Sequence, residues 1–198
     1  MKKASMLLAL LLTSAPLITA AEYDVDRSAK NVVKFISEAP LEEFEGVTDR
    51  IDGYVRWEGD QTPPDQTAWK SCELYFEVEL NGLDTGIGMR NRHMREDFLE
   101  TDKFPFASFK AHLKDLQKIS DTLYTATAEG TFSVHGVDKP LSTTATVTSW
   151  PVGLRIQCNF EIKLPDYDIK IPKLLFMKIN EVIRLQVNYY LKPAAIKK

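Results

Sequence analysis

From Val33 onward most of the chain alternates between apolar and polar side chains with a period of two, and no other feature narrows its fold as much. Successive side chains of a β-strand point to opposite faces, so strict alternation marks strands with one buried and one wet side. Cys72, Leu74, Phe76, Val78 and Leu80 alternate with Glu73, Tyr75, Glu77 and Glu79. Ile51, Gly53, Val55 and Trp57 share one phase of an earlier strand, and Ala107, Phe109, Ala111 and Leu113 one phase of a later one. The pattern returns in Ala126 to Val134, weakly in Leu141 to Val147, over eleven residues from Leu154 to Leu164, and finally from Val182 to Leu191. Eight or so strands of this kind in one domain predict an all-β fold with antiparallel pairing, either a sandwich or a closed barrel.

Three stretches depart from the pattern. Met94, Phe98 and Leu99 fall at helical spacing, which predicts a short helix over His93 to Leu99. Pro172 to Ile179 (PKLLFMKI) carries a dense apolar run and predicts a second helical turn. Gly59 to Asp65, with adjacent prolines, reads as a polar turn.

The beginning of the chain has a different character. Lys2 and Lys3 precede an apolar run from Ala4 to Ile18 and the small residues Thr19-Ala20-Ala21, the anatomy of a secretory signal peptide. Residues 1–21 are expected to be a leader, and residues 22–198 one exported domain that is periplasmic or secreted and not membrane-spanning. Loss of Lys2 and Lys3 moves the formal net charge from −3 to −5, a field that repels nucleic acid. Cys72 and Cys158 both lie in the exported part. The compartment permits a disulfide, which would close a loop of more than 80 residues and add roughly 4 kcal/mol. Two separate buried thiols fit the pattern equally well.

Small side chains recur on the inward phase, at Gly53, Ala107, Ala111, Ala126, Ala128, Gly130 and Ala145. They could leave an apolar channel along a barrel axis, or accommodate facing aromatics such as Phe35, Phe76, Phe109, Phe132 and Phe160. Alternation alone leaves both open. The three histidines, His93, His112 and His135, show no HxH or HExxH spacing, and there is no GxSxG elbow or phosphate-binding glycine loop. No catalytic or metal site is expected. His112 sits on an outward phase, and His135 in the turn before Gly136 is expected to stabilise that turn.

Two blocks carry a resemblance. LDTGIGMRNRHMREDFLETDKFPFASFKA, from Leu83 to Ala111, followed by EGTFSVHGVDKPL, from Glu129 to Leu141, resembles the YceI-like family of periplasmic, lipocalin-like proteins. Val33 with Phe35, Gly53-Tyr54-Val55 and Asn180-Glu181-Val182 add to the likeness, which covers nearly all of the exported part. It implies an eight-stranded antiparallel lipocalin-like barrel with one or two short helices, enclosing an elongated apolar pocket for a polyisoprenoid or similar amphiphile. A hydrophobic small molecule is thus the expected partner. No cofactor is expected beyond a bound isoprenoid lipid or quinone. The implied ligand-binding residues are Phe35, Val55, Phe76, Phe98, Phe109, Phe132, Val134, Ile156 and Phe160 within the pocket, and Arg90, His93 and Arg95 at its rim. The arginines suit a phosphate or carboxylate headgroup, or pair locally with Glu96, Asp97, Glu100 or Asp102 and pin the loop. Ile36 to Asp49 and Asp166 to Ile179 depart from the commonest family versions, and both are expected near the pocket mouth.

The expected function is that of an exported binding protein that holds or carries such a lipid. The alternatives are a quinone-linked redox accessory and a packed structural or stress protein without a ligand. The strand edge near Val182 to Leu191 is a candidate for pairing across a homodimer.

Overall fold

The computed structural model describes residues 20–38, 43–59, 64, 68–174 and 177–195. The expected leader, except its last two residues, lies outside them, as does most of the Gly59 to Asp65 turn. The strands in chain order are β1 (Ala20–Val25), β2 (Val32–Glu38), β3 (Glu43–Thr48), β4 (Ile51–Glu58), β5 (Glu73–Glu79), β6 (Phe106–Lys118), β7 (Leu123–Val134), β8 (Val137–Trp150), β9 (Gly153–Lys163), β10 (Lys173–Leu174), β11 (Met177–Lys178) and β12 (Val182–Pro193). One α-helix, α1 (Gly88–His93), runs on into a π-helical turn, Met94–Phe98.

The alternating segments pair as antiparallel neighbours in the order β1-β4-β5-β6-β7-β8-β9-β12, and β1 returns to β12 to close an eight-stranded barrel. Strands β6 to β9 form a meander of long hairpins whose inward residues keep the phase read from the sequence, up to a bulge in β6 between Leu113 and Asp115 that turns Leu116 inward. A two-residue turn, His135-Gly136, joins β7 to β8. Both residues have positive φ, 54° and 75°, as a two-residue hairpin turn requires. At Gly53, φ is +139° and a Cβ would lie 2.1 Å from the Tyr75 carbonyl oxygen, so β4 approaches β5 more closely than a side chain allows.

Closure depends on β12. One edge pairs with β9 from Val182 to Leu191. The other pairs with β2 from Ile183 to Asn188 and with β1 from Leu191 to Pro193. The turn between β1 and β2 bridges the gap through Asn31, which is 3% exposed. Asn31 Nδ2 donates to the Asp26 carbonyl at 2.9 Å, and its Oδ1 accepts the Tyr190 N–H at 3.0 Å. The Asp26 N–H donates to the Tyr190 carbonyl at 2.8 Å. With both edges occupied, β12 offers no free edge for the dimer pairing considered from the sequence.

Where β2 replaces β1, the wall continues outward into β3, which pairs with β2 and is bridged at Val47 to Asp84 by two backbone bonds of 2.9 Å. The barrel therefore flares at this end, and α1 lies at the opening. The helix begins five residues before its expected start. Its first turns are polar and show no apolar period, and Asn91 holds them instead, accepting from the Thr85 N–H at 2.8 Å and donating to Asp84 at 2.6 Å. Among its described residues, Pro172 to Ile179 does not form the expected helical turn. Lys173–Leu174 pairs antiparallel with Met177–Lys178, because a continuous apolar run specifies neither period. Strands β1 and β3 carry too short an alternation to be read beforehand.

Asp26 ties the seam from the outside, accepting from the Ser28 hydroxyl at 2.7 Å, the Ser28 N–H at 3.1 Å and Lys192 Nζ at 3.0 Å. The Ser28 hydroxyl, then Lys192 and the Ser28 amide, hold its carboxyl below the usual aspartate range. A depressed pKa means that the ionised form is bonded more strongly in the folded than in the unfolded chain. Its contribution is complete above the unfolded value, about 3.9, and is lost as pH falls through the folded value. Asp26→Asn should accordingly lower the thermal midpoint at pH 7, and the gap to the unsubstituted protein should close as the pH approaches about 2. A gap of the same size throughout that range would show that the charge is not responsible.

Candidate functional site

Two groups of buried side chains divide the barrel. The inner one, around Trp57, Leu74, Ala111, Ala126 and Leu191, lies within the closed ring, where Tyr23 stacks on Trp57 with centroids 5.4 Å apart. The outer one, around Leu80, Phe132, Leu164, Ile169 and Ile183, belongs to the flared end. Neither group fills its half. An inner chamber of about 190 Å³ and an outer one of about 720 Å³ remain, and Leu80, Ala107, Phe132 and Leu185 border both. The small residues of the inward phase are the cause: Ala107, Ala126, Ala128 and Ala145 line the inner chamber opposite larger side chains and do not reach across it.

The residues named from the sequence fall into place as follows. Val55, Phe76, Phe109, Phe132, Ile156 and Phe160 line the inner chamber. Phe35, Arg90, His93, Phe98 and Val134 line the outer one, which Phe132 also borders. Arg95 lines neither. Its Nη2 donates to the Leu83 carbonyl at 2.8 Å, strapping the helical segment to the preceding loop.

The basic cluster therefore divides by role. The Arg90 guanidinium lies over the Phe44 ring, 4.5 Å from its centroid, at the chamber wall. His93 is exposed at the rim, and Arg92 is exposed outside the lining. Among the described residues no ion pair joins any of the three arginines to Glu96, Asp97, Glu100 or Asp102; Glu100 meets Lys103 and His135 instead. Ile87 and Met89, 49% and 65% exposed, complete an apolar lip.

His135 acts away from the cavity. Its Nδ1 donates to the Tyr167 carbonyl at 3.1 Å, and its ring packs on Phe104 with centroids 4.8 Å apart. Tyr167 in turn meets Phe132 edge-on at 5.7 Å. The turn before Gly136 thus fixes the segment that supplies Leu164 and Ile169 to the outer chamber. His112 is exposed on the outer surface of β6.

Sequence reasoning missed much of the outer lining: Ser37, Phe44, Leu164, Ile169, Pro172 and Ile179. All but Leu164, which ends the alternation of β9, come from the two segments that depart from the family pattern. Ser37 did carry a signal, since it continues the inward phase of Val33 and Phe35.

Cys72 and Cys158 are unbonded, and both line the inner chamber. Cys72 leads into β5, four strands around the ring from the Cys158 strand, β9, so the thiols stand on opposite walls. This resolves the question left open by the sequence in favour of two separate thiols. Burial pushes the Cys72 thiol up to about 12 and the Cys158 thiol up to about 11. Burial likewise raises the neighbouring Tyr189 phenol well above its ordinary range. Among the described residues no group of three or more His, Cys, Asp or Glu could hold a metal, and no helix is long and apolar enough to cross a membrane.

The YceI-like domain model matches residues 23–191. The structure resembles that of Burkholderia cenocepacia BcnA, with 16% identity, a TM-score of 0.65, and coverage of 84% of this chain and 98% of that one. It is similar as well to a polyisoprenoid binding domain from Saccharophagus degradans implicated in plant cell wall breakdown, with 16% identity, a TM-score of 0.64 and coverage of 87% and 98%. The Campylobacter jejuni YCEI protein gives 18% identity, a TM-score of 0.54 and coverage of 76% and 84%. No curated protein matches the sequence.

The thiol geometry has a direct readout. The folded protein should yield two titratable thiols on denaturation without reductant, and both should resist alkylation at pH 8 while folded, because neutral thiols are poor nucleophiles. Recovery of both thiols only after reduction would overturn the assignment.

Proposed function

Since the chain belongs to the YceI-like domain family, we propose that it is an exported binding protein that holds or carries an isoprenoid or similar amphiphilic lipid in its barrel. One observation carries this reading: two apolar chambers meet at Leu80, Ala107, Phe132 and Leu185 and continue to a lip of Ile87 and Met89. The outer chamber falls within the range of about 300–1,000 Å³ typical of small-molecule sites. The narrower inner chamber suits a chain.

Affinity in this reading comes from the hydrocarbon, at about 0.8 kcal/mol per buried methylene. The tail enters the inner chamber and the polar end stays in the outer one, near Arg90 and His93. The protein contributes no reaction step; it shields the tail from water. The N-terminal sequence supports a location outside the cytoplasm, in the periplasm or beyond.

Organic extraction of the purified protein, followed by mass spectrometry, should release an isoprenoid-like species in stoichiometric amount. Protein that contains none and takes up none when offered refutes the proposal. Ala107 supplies a finer test, because it stands where the chambers join. Ala107→Trp should block the passage, so that short chains still bind in the outer chamber and affinity stops rising with chain length. Its thermal midpoint should stay close to that of the unsubstituted protein, since the ring enters empty space. Unchanged preference for long chains in a folded variant would show that the inner chamber is not used.

A further inference from the structure

We propose that Ser37 forms a hydrogen-bonding subsite within the outer chamber, which selects lipids carrying a hydroxyl or carbonyl oxygen near one end over hydrocarbons of the same length. This rests on the lipid-binding reading above. Ser37 is 1% exposed and faces inward on β2, in phase with Val33 and Phe35. Its register partners are Phe44 on β3 and Ile183 on β12, which line the same chamber. The hydroxyl is thus set in a hydrocarbon wall, and its Oγ has no hydrogen-bond partner.

A buried hydroxyl without a partner is destabilising relative to a hydrogen-bonded one, and a ligand oxygen would relieve it. Five buried side-chain polar atoms lack a hydrogen-bond partner among the described residues. Those of Arg95, His135 and Arg184 are nitrogens of side chains that line neither chamber. Thr143 Oγ1 borders the inner chamber, but Thr143 is only half-buried and the space there is about 190 Å³. The outer chamber has about 720 Å³, and Arg90, His93 and Asp97 also border it, so the polar end of an amphiphile belongs there. A serine hydroxyl offers one donor and two acceptor lone pairs, so it serves an alcohol in either direction and donates to a carbonyl. Because it binds nothing within the protein, Ser37→Ala breaks no internal bond.

The test compares geranylgeraniol with the hydrocarbon of the same skeleton lacking the oxygen, using the delipidated full-length domain and displacement of an apolar fluorescent probe. The protein should favour the alcohol by about 5–10-fold, the discrimination expected of one hydrogen bond. Ser37→Ala should bring that ratio to about one by weakening alcohol binding, with a thermal midpoint no lower than before. A ratio unchanged in Ser37→Ala, or no preference in the unsubstituted protein, overturns the subsite and leaves lipid binding standing. Loss of the preference in Thr143→Val instead would place the polar end in the inner chamber and equally overturn it. If neither compound binds, the lipid-binding reading fails, and the subsite with it.

Discussion

The structure depends on the way β12 divides one of its edges between two partners. A barrel has no free edge only if its last strand finds the first, and β12 does so with three residues, Leu191 to Pro193, against β1. Over the rest of that edge it takes β2. Asn31 makes the exchange possible, because its amide bonds the Asp26 carbonyl and the Tyr190 N–H where the ladder would otherwise be interrupted. A closed ring with a flared extension follows from this one handover. The ring gives the inner chamber its even wall, and the flare gives the outer chamber its greater volume and room for α1.

Local physics accounts for what the sequence revealed of this. Period two is a strong signal when one face is dry and the other wet, and β4 to β9 meet that condition. Their inward residues could be assigned in advance, although not whether they filled the centre. That answer depends on how far Ala107, Ala126, Ala128 and Ala145 stand from the opposite wall, a property of the ring and not of any strand. Alternation therefore left sandwich, packed barrel and hollow barrel open, and the family resemblance was needed to choose. β1 escaped notice because it starts at the end of the expected leader, and β3 because Glu43 to Thr48 contains only Phe44 and Val47 as large apolar residues.

The site was legible to the same extent. Its inner wall is made of alternating strands, and the six residues named from the sequence for that wall all border the inner chamber. Its outer wall is assembled from a hairpin, a helix and an irregular segment, whose side chains converge only through contacts distant in sequence. Arg95 shows the limit: the resemblance grouped it with Arg90 and His93 at the rim, but the turn of the helical segment aims it at the Leu83 carbonyl. Spacing along a chain fixes direction only where the backbone is regular.

The two unbridged thiols have a consequence for biogenesis. Most small exported domains that owe their rigidity to sulfur cross-links must be oxidised before they reach their final shape. Here the hydrogen-bonded seam does the closing, and Cys72 and Cys158 serve only as oily wall. With no disulfide to form, folding calls for no thiol oxidase or disulfide isomerase, and the same barrel is expected in a reducing solution as in an oxidising one.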